Sequence, residues 1–258
     1  MEIKKNKLIL NAILFVTPSL FGNQEQLQHN LWEAIDENDI AAVEKLIQHV
    51  DLNERYITGD TPLLQAIREG NIAIIRLLLS IANLDPNKQS EIGSSPLIET
   101  LTTAANTSNY IILELLLADK RVDVNKPNKF GDTPLTAAIT EATDAHNPHI
   151  VSVLLANDRI NPNKPDAIGN TPLMEAINQL NPTLVRLLLL QPKIKLFNLY
   201  QENDEGITAL EMADETKNKE IIALIEDAIR KKQKGTAKTI MKTRGEVYPN
   251  IAQTIEKY

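Results

Sequence analysis

Apolar positions in this chain recur with the period of a helix. Ile75, Leu78 and Leu79 stand at i, i+3 and i+4, and the spacing returns at Leu113/Leu116/Leu117, Val151/Leu154/Leu155 and Val185/Leu188/Leu189. Such a set forms one buried stripe of an amphipathic helix. Ahead of the stripes stand the small residues Ala66, Thr100, Ala138 and Ala176, with Ala213 in the corresponding place further on. A small residue lets a preceding helix approach closely, so the pattern predicts helix pairs. An earlier pair is predicted from Ala34, Val43, Leu46 and Ile47, with Leu31 and Trp32 in its first helix.

A pentapeptide keeps a fixed distance from these stripes. Gly59-Asp60-Thr61-Pro62-Leu63 recurs at Gly131-Asp132-Thr133-Pro134-Leu135 and Gly169-Asn170-Thr171-Pro172-Leu173. Weaker copies are Gly93-Ser94-Ser95-Pro96-Leu97 and Gly206-Ile207-Thr208-Ala209-Leu210, giving intervals of 34, 38, 38 and 37 residues. Self-similarity at such a period means stacked units rather than one globular core. Thr61, Ser95, Thr133, Thr171 and Thr208 fit N-cap positions, and Pro62, Pro96, Pro134 and Pro172 fit the first helical turn, where a missing N–H costs nothing. Asn147-Pro148 and Asn181-Pro182 read as caps of second helices. Connectors such as Asp85-Pro86-Asn87 and Asn161-Pro162-Asn163 predict tight turns. Between the two helices, the third and fourth units have four extra residues, at 102–109 and 140–147. These lengthen the first helix by a turn or bulge the loop. The long connector 192–204 forms an enlarged finger or strains the last unit.

Gly-x-Thr-Pro-Leu, a small residue, an aliphatic stripe and an Asn before the next unit together resemble the ankyrin repeat. The resemblance covers about residues 27–229, in units near 27–58, 59–92, 93–130, 131–168, 169–205 and 206–229. It implies an all-α solenoid of helix-turn-helix units with β-turn fingers, and a protein partner bound on a concave side made of fingertips and first helices. Carried over position by position, the fingertip residues are Thr58 and Asp60, Ile92 and Ser94, Phe130 and Asp132, Ile168 and Asn170, and Glu205 and Ile207. The first-helix positions are Arg68 and Glu69, Thr102 and Thr103, Thr140 and Glu141, and Asn178 and Gln179. Ile92, Phe130 and Ile168 make an apolar row that either anchors a partner or packs against neighbouring fingers.

Charge divides the chain further. The net charge is −7, but residues 1–22 carry +2 and residues 231–258 carry +5, leaving −14 on the body between. An acidic body lacks the footprint that phosphate backbones require, which argues against nucleic acid as a partner. Lys4, Lys5 and Lys7 precede the apolar run Leu8–Val16, then Pro18 and small residues to Gly22, as in a secretory signal peptide. On that reading the mature chain is exported, periplasmic or secreted, with no transmembrane span, and otherwise it is cytoplasmic. The competing reading is an apolar helix capping the first unit. Residues 230–258 form a basic tail, flexible or continuing the last helix, with a short helix predicted near Pro249–Tyr258. A monomer is expected.

No nucleotide-binding, metalloprotease or nucleophile-elbow pattern occurs. With no cysteine, thiol catalysis, disulfides and cysteine zinc sites are excluded. His146 and His149, near Asp144, lack a defined third metal ligand and read as part of a solvated turn. The expectation is therefore a non-catalytic interaction module without cofactor or metal, directed at a host or at a partner from the same cell. The alternatives are a structural or protective accessory protein of the envelope, and a metal-dependent enzyme at the histidine pair.

Overall fold

The computed structural model describes residues 24–144 and 146–243; the signal-like segment and Pro249–Tyr258 lie outside them. Twelve α-helices occur among the described residues, in six consecutive pairs. They are α1 (Gln24–Asp36) with α2 (Ile40–Leu46), α3 (Pro62–Arg68) with α4 (Ile72–Ser80), and α5 (Pro96–Thr107) with α6 (Ile111–Ala118). Then come α7 (Pro134–Asp144) with α8 (His149–Leu155), α9 (Pro172–Asn178) with α10 (Pro182–Leu189), and α11 (Ala209–Thr216) with α12 (Lys219–Thr243). The chain forms two compact units, one up to Glu99 and one from Thr100.

Every first helix from α3 to α11 starts as its sequence predicts. The hydroxyls of Thr61, Ser95, Thr133, Thr171 and Thr208 accept from the backbone N–H three residues on, at 3.2–3.4 Å. Such a cap stabilises a helix by about 1 kcal/mol. The small residues Ala66, Thr100, Ala138, Ala176 and Ala213 are all buried. In α6 the expected Leu113, Leu116 and Leu117 are all buried, whereas in α4, α8 and α10 the stripe sits one residue earlier than the spacing suggests. Ile74, Ile75 and Leu78 are fully buried, as are Ile150, Val151 and Leu154, and Leu184, Val185 and Leu188. Leu79, Leu155 and Leu189 are only half-buried.

The extra residues of the third and fourth units lengthen the first helix. Helices α5 and α7 have 12 and 11 residues where α3 and α9 have seven, which is one additional turn. First helices then turn through left-handed residues, with Asn38, Gly70, Ser108, His146, Leu180 and Lys217 all at φ between 50° and 68°. Asn147 is not the cap of α8. Its amide instead donates to the Ala105 carbonyl at 3.1 Å and the Tyr110 hydroxyl at 2.8 Å, tying it to the preceding repeat. Asn181 does cap α10, accepting from Leu184 N at 3.2 Å.

Connectors are joined by side chains reaching backbone groups of the neighbouring repeat. In the first unit Asn53 donates to the Asn83 carbonyl at 2.9 Å and accepts from Asp85 N at 2.7 Å. In the second unit Asn125 does the same with Arg159 and Asn161, at 2.8 and 2.7 Å. A ladder of cations runs beside these contacts. Arg159 donates to the carbonyls of Leu117 and Val122, Lys193 to those of Asp158 and Ile160, and Lys232 to that of Ile194 at 2.5 Å. Burial pushes the Lys232 ammonium below its usual range, with help from nearby Lys195. The long connector does not enlarge a finger. It winds into a 3-10 helix, Leu196–Tyr200, with Leu199 fully buried. Helix α12 continues over it, and Gln233 donates to the Tyr200 hydroxyl at 3.3 Å.

Each pentapeptide Gly has φ between 78° and 90°. At Gly131 a Cβ would also lie 2.1 Å from the Ala167 Cβ of the next finger, whereas a Cβ at Gly70 would meet nothing within 4 Å. Gly131→Ala therefore combines left-handed strain with a steric overlap, and Gly70→Ala suffers the strain alone. Gly131→Ala is expected to cost about 2 kcal/mol more than Gly70→Ala in urea denaturation. Equal losses would contradict the close approach.

Candidate partner-binding surface

The fingers are built by a side chain that the repeat pattern did not single out. Three residues before the glycine, Asn128 accepts from Phe130 N and Asp132 N at 2.9 Å each. Asp166 does so from Ile168 N and Asn170 N at 3.0 and 2.9 Å, and Asn203 from Glu205 N and Ile207 N at 3.1 and 2.9 Å. These Asx turns hold each tip in one conformation. The backbone closes the same loop, for example Asn128 N to Asp132 O at 2.9 Å. Within each unit neighbouring fingers are also joined, by Glu91 N to Gly59 O at 2.7 Å and by Asp204 N to Ile168 O at 3.1 Å.

Held this way, the tips project apolar side chains into water. Ile92 is 60% exposed in the first unit, and Phe130 and Ile168 are 69% and 60% exposed in the second. They do not pack away against their neighbours. Lys129 places its ammonium 5.1 Å from the centre of the Phe130 ring. The first finger adds Ile57, which is 88% exposed and lies one residue before the expected tip residue Thr58. Counting two residues back from Gly59 would have found it. Thr58 and Glu205 are exposed, while Ser94, Asp132 and Ile207 are half-buried.

Two expected contact residues are corrected. Asp60 and Asn170, immediately after the finger glycine, are 3% and 4% exposed. Asn170 accepts from the amide of Asn203 at 2.8 Å. Asp60 is held by Arg68, whose guanidinium also donates to Glu99 at 2.9 Å. Asp60 thus links its finger to α3 and Asn170 links its finger to the next one, so both serve the scaffold. Burial raises the Asp60 carboxyl above its ordinary value of 3.8. Arg68 opposes that shift but is shared with Glu99, whose own charge adds to it.

The first-helix positions are more open. Glu69, Thr102 and Asn178 are exposed, and Thr103, Thr140, Glu141 and Gln179 are half-buried. In the second unit they form a hydrogen-bonded series, two bonds between neighbouring repeats and one at the last turn of α9. Thr102 donates to Glu141 at 2.8 Å, Thr140 to Glu175 at 3.2 Å, and Gln179 to Glu175 at 2.8 Å. The histidine pair is not drawn into a ligand set. His146 contacts the Asp144 carbonyl at 3.2 Å, while His149 meets the Tyr110 ring edge-on at 4.9 Å. Among the described residues no three His, Cys, Asp or Glu side chains could hold a metal together, and no helix is long and apolar enough to cross a membrane.

Helix pairs with glycine fingers and exposed tips define a class of interaction proteins. The ankyrin repeats family, in blocks of three copies, matches residues 31–101 and 101–198, and the chain belongs to that family. Solved structures agree with the fold. The ankyrin repeat domain of Bcl-3, a member of the IkappaB family, is 20% identical with a TM-score of 0.65 over 77% of this chain and 85% of that one. A chain from the complex of the predatory endopeptidase Bd0816 of Bdellovibrio bacteriovorus with immunity protein Bd3460 is 27% identical. Its TM-score is 0.57 over 77% of this chain and 97% of that one. An ankyrin repeat domain from Acinetobacter baumannii AYE is 26% identical, with a TM-score of 0.60 over 78% and 98%. No curated relative matches the chain.

The raised Asp60 carboxyl has a signed consequence for stability. The folded state holds this proton more tightly than the unfolded chain, so the contribution is fully present below 3.8. It is lost as pH rises from there through the raised value. Asp60→Asn removes the titration. Its stability relative to the parent should therefore be more favourable at pH 7 than at pH 3 in urea denaturation. A difference that is constant, or larger at pH 3, would show that burial does not dominate at this carboxyl.

Proposed function

We propose that this protein is an exported, non-catalytic module that captures a protein partner through its fingertips and the exposed sides of its first helices. The observation that carries the reading is the exposure of Ile57, Ile92, Phe130 and Ile168 on fingers whose backbone is fully organised from within. Apolar groups kept in water by a rigid support suit anchoring in a partner's pockets, where a few such residues carry most of the binding energy. Export is supported by the basic-then-apolar residues 1–22.

Within this reading the partner is host-derived or belongs to the same cell. One observation favours the second. The chain resembles a component of a solved complex between an endopeptidase and an immunity protein. A protective companion of an enzyme exported by the same cell fits that likeness. Capture of such an enzyme from the cell's own envelope fraction, and of nothing from host lysate, is the expected outcome. The reverse would favour a host-directed role.

Replacing both Phe130 and Ile168 by Asp tests the surface itself. Both side chains are largely in water, so the urea midpoint should move little, by an equivalent of about 0.5 kcal/mol or less. Partner capture should fall by at least about a hundredfold. Full capture by the double variant, or collapse of its fold, would remove the fingertips from the interface.

A further inference from the structure

Within the second unit, charge is sorted by helix. The first helices α7, α9 and α11 carry Glu141, Asp144, Glu175, Glu211, Asp214 and Glu215, and no Lys or Arg. All six residues reach water, and among the described residues none takes part in an ion pair. The side-chain donors facing Glu141, Glu175 and Glu211 are neutral groups, from Thr102, Thr140, Gln179 and Thr208. Hydrogen bonds from the Thr208 N–H and hydroxyl hold Glu211 below its usual range, so it stays charged.

Six cations of this unit are engaged elsewhere, and Lys217, directly after α11, forms no ion pair with these carboxylates among the described residues. Arg159 and Lys193 sit on connector carbonyls, Arg121 pairs with Asp119, and Arg186 of α10 pairs with Glu220 of α12. At the fingers, Lys129 lies over Phe130 and Lys164 donates to the Asn125 carbonyl. The first unit is built differently, since there Arg68 neutralises both Asp60 and Glu99. The first-helix side of the second unit is thus a row of uncompensated carboxylates on the same repeats as the apolar tips Phe130 and Ile168.

Resting on the partner-capture reading above, we infer that the segment bound by the second unit is cationic, with Lys or Arg side chains flanking an apolar anchor. Complementary charge speeds encounter and fixes register, while like charge rejects acidic partners and nucleic acid. Packed helices lie about 8–10 Å apart, so the carboxylates recur at about that interval. An extended chain advances about 3.3 Å per residue. A cation at every third residue therefore meets successive first helices.

The test uses the full chain and two fluorescent synthetic peptides, one with Lys at every third residue and Leu between, the other with Glu in place of Lys. Anisotropy should show binding of the Lys peptide at low salt, no binding of the Glu peptide, and loss of most affinity near 0.3 M NaCl, where screening acts within roughly 6 Å. Glu141→Gln with Glu175→Gln and Glu211→Gln should weaken the Lys peptide about tenfold or more. The same charge change on other surfaces, Glu114→Gln with Asp158→Asn and Glu226→Gln, should alter it less than about twofold. Equal effects of the two triple variants would overturn the inference. So would tighter binding after neutralising Arg244 and Lys257, which would make the chain's own basic C-terminus the occupant. If the fingertip double variant loses a captured partner while the first-helix triple variant keeps it at every salt concentration, partner capture stands and the cationic assignment falls.

Discussion

Among the described residues, helix pairs pack against the pairs of neighbouring repeats, and the rest of the structure depends on that packing. Ile74, Ile75 and Leu78 of α4 are all at zero exposure, as are Leu184, Val185 and Leu188 of α10. Each such side chain contributes about 1.5–3 kcal/mol when removed from water. That burial needs consecutive pairs to lie close, which is why a small residue stands in every first helix from α3 on. It is also why a glycine stands in each finger: at Gly131 the next finger leaves no room for even one methyl group. The Asn and cation contacts to neighbouring carbonyls then satisfy backbone groups that the connectors would otherwise leave unpaired.

Much of this was legible in the chain. The caps from Thr61 to Thr208, the pairing of helices and the burial of the small residues follow from local rules, because they depend on groups a few residues apart. Four features were not legible, for definable reasons. Whether four extra residues extend a helix or bulge a loop depends on which carbonyls the turn finds, and in α7 they extend the helix. Whether Asn147 caps α8 or ties two repeats is decided by Ala105 and Tyr110, some 40 positions away. The stripe of α4, α8 and α10 was placed one residue late, since a run such as Ile-Ile-Arg-Leu-Leu-Leu fits two registers equally well. The long connector is the last of these cases, since its 3-10 turn buries Leu199 and meets α12 through Tyr200 and Gln233, 33 positions apart.

For the surface, the pentapeptide separates into three kinds of residue. Its Thr and Pro start a helix and its Gly permits the close finger. The residue after Gly turns inward at Asp60 and Asn170 and is half-buried at Ser94, Asp132 and Ile207, although the family resemblance placed it at the contact surface. The residues free to meet a partner are those before the glycine, above all Ile57, Ile92, Phe130 and Ile168. Phe130 and Ile168 are supported by the Asx turns at Asn128 and Asp166, an arrangement visible in the alignment only once the finger geometry is known. Scaffold and surface are thereby carried by different side chains, so the tips can vary without cost to the fold.

That separation is tested most directly by hydrogen exchange of the protein with and without its captured partner, followed by mass spectrometry. Added protection is predicted in the finger segments 128–132 and 164–170 and in the exposed sides of α7 and α9. The second helices α8 and α10 should exchange as before. Protection gained mainly on α8 and α10, with the fingers unchanged, would contradict the account.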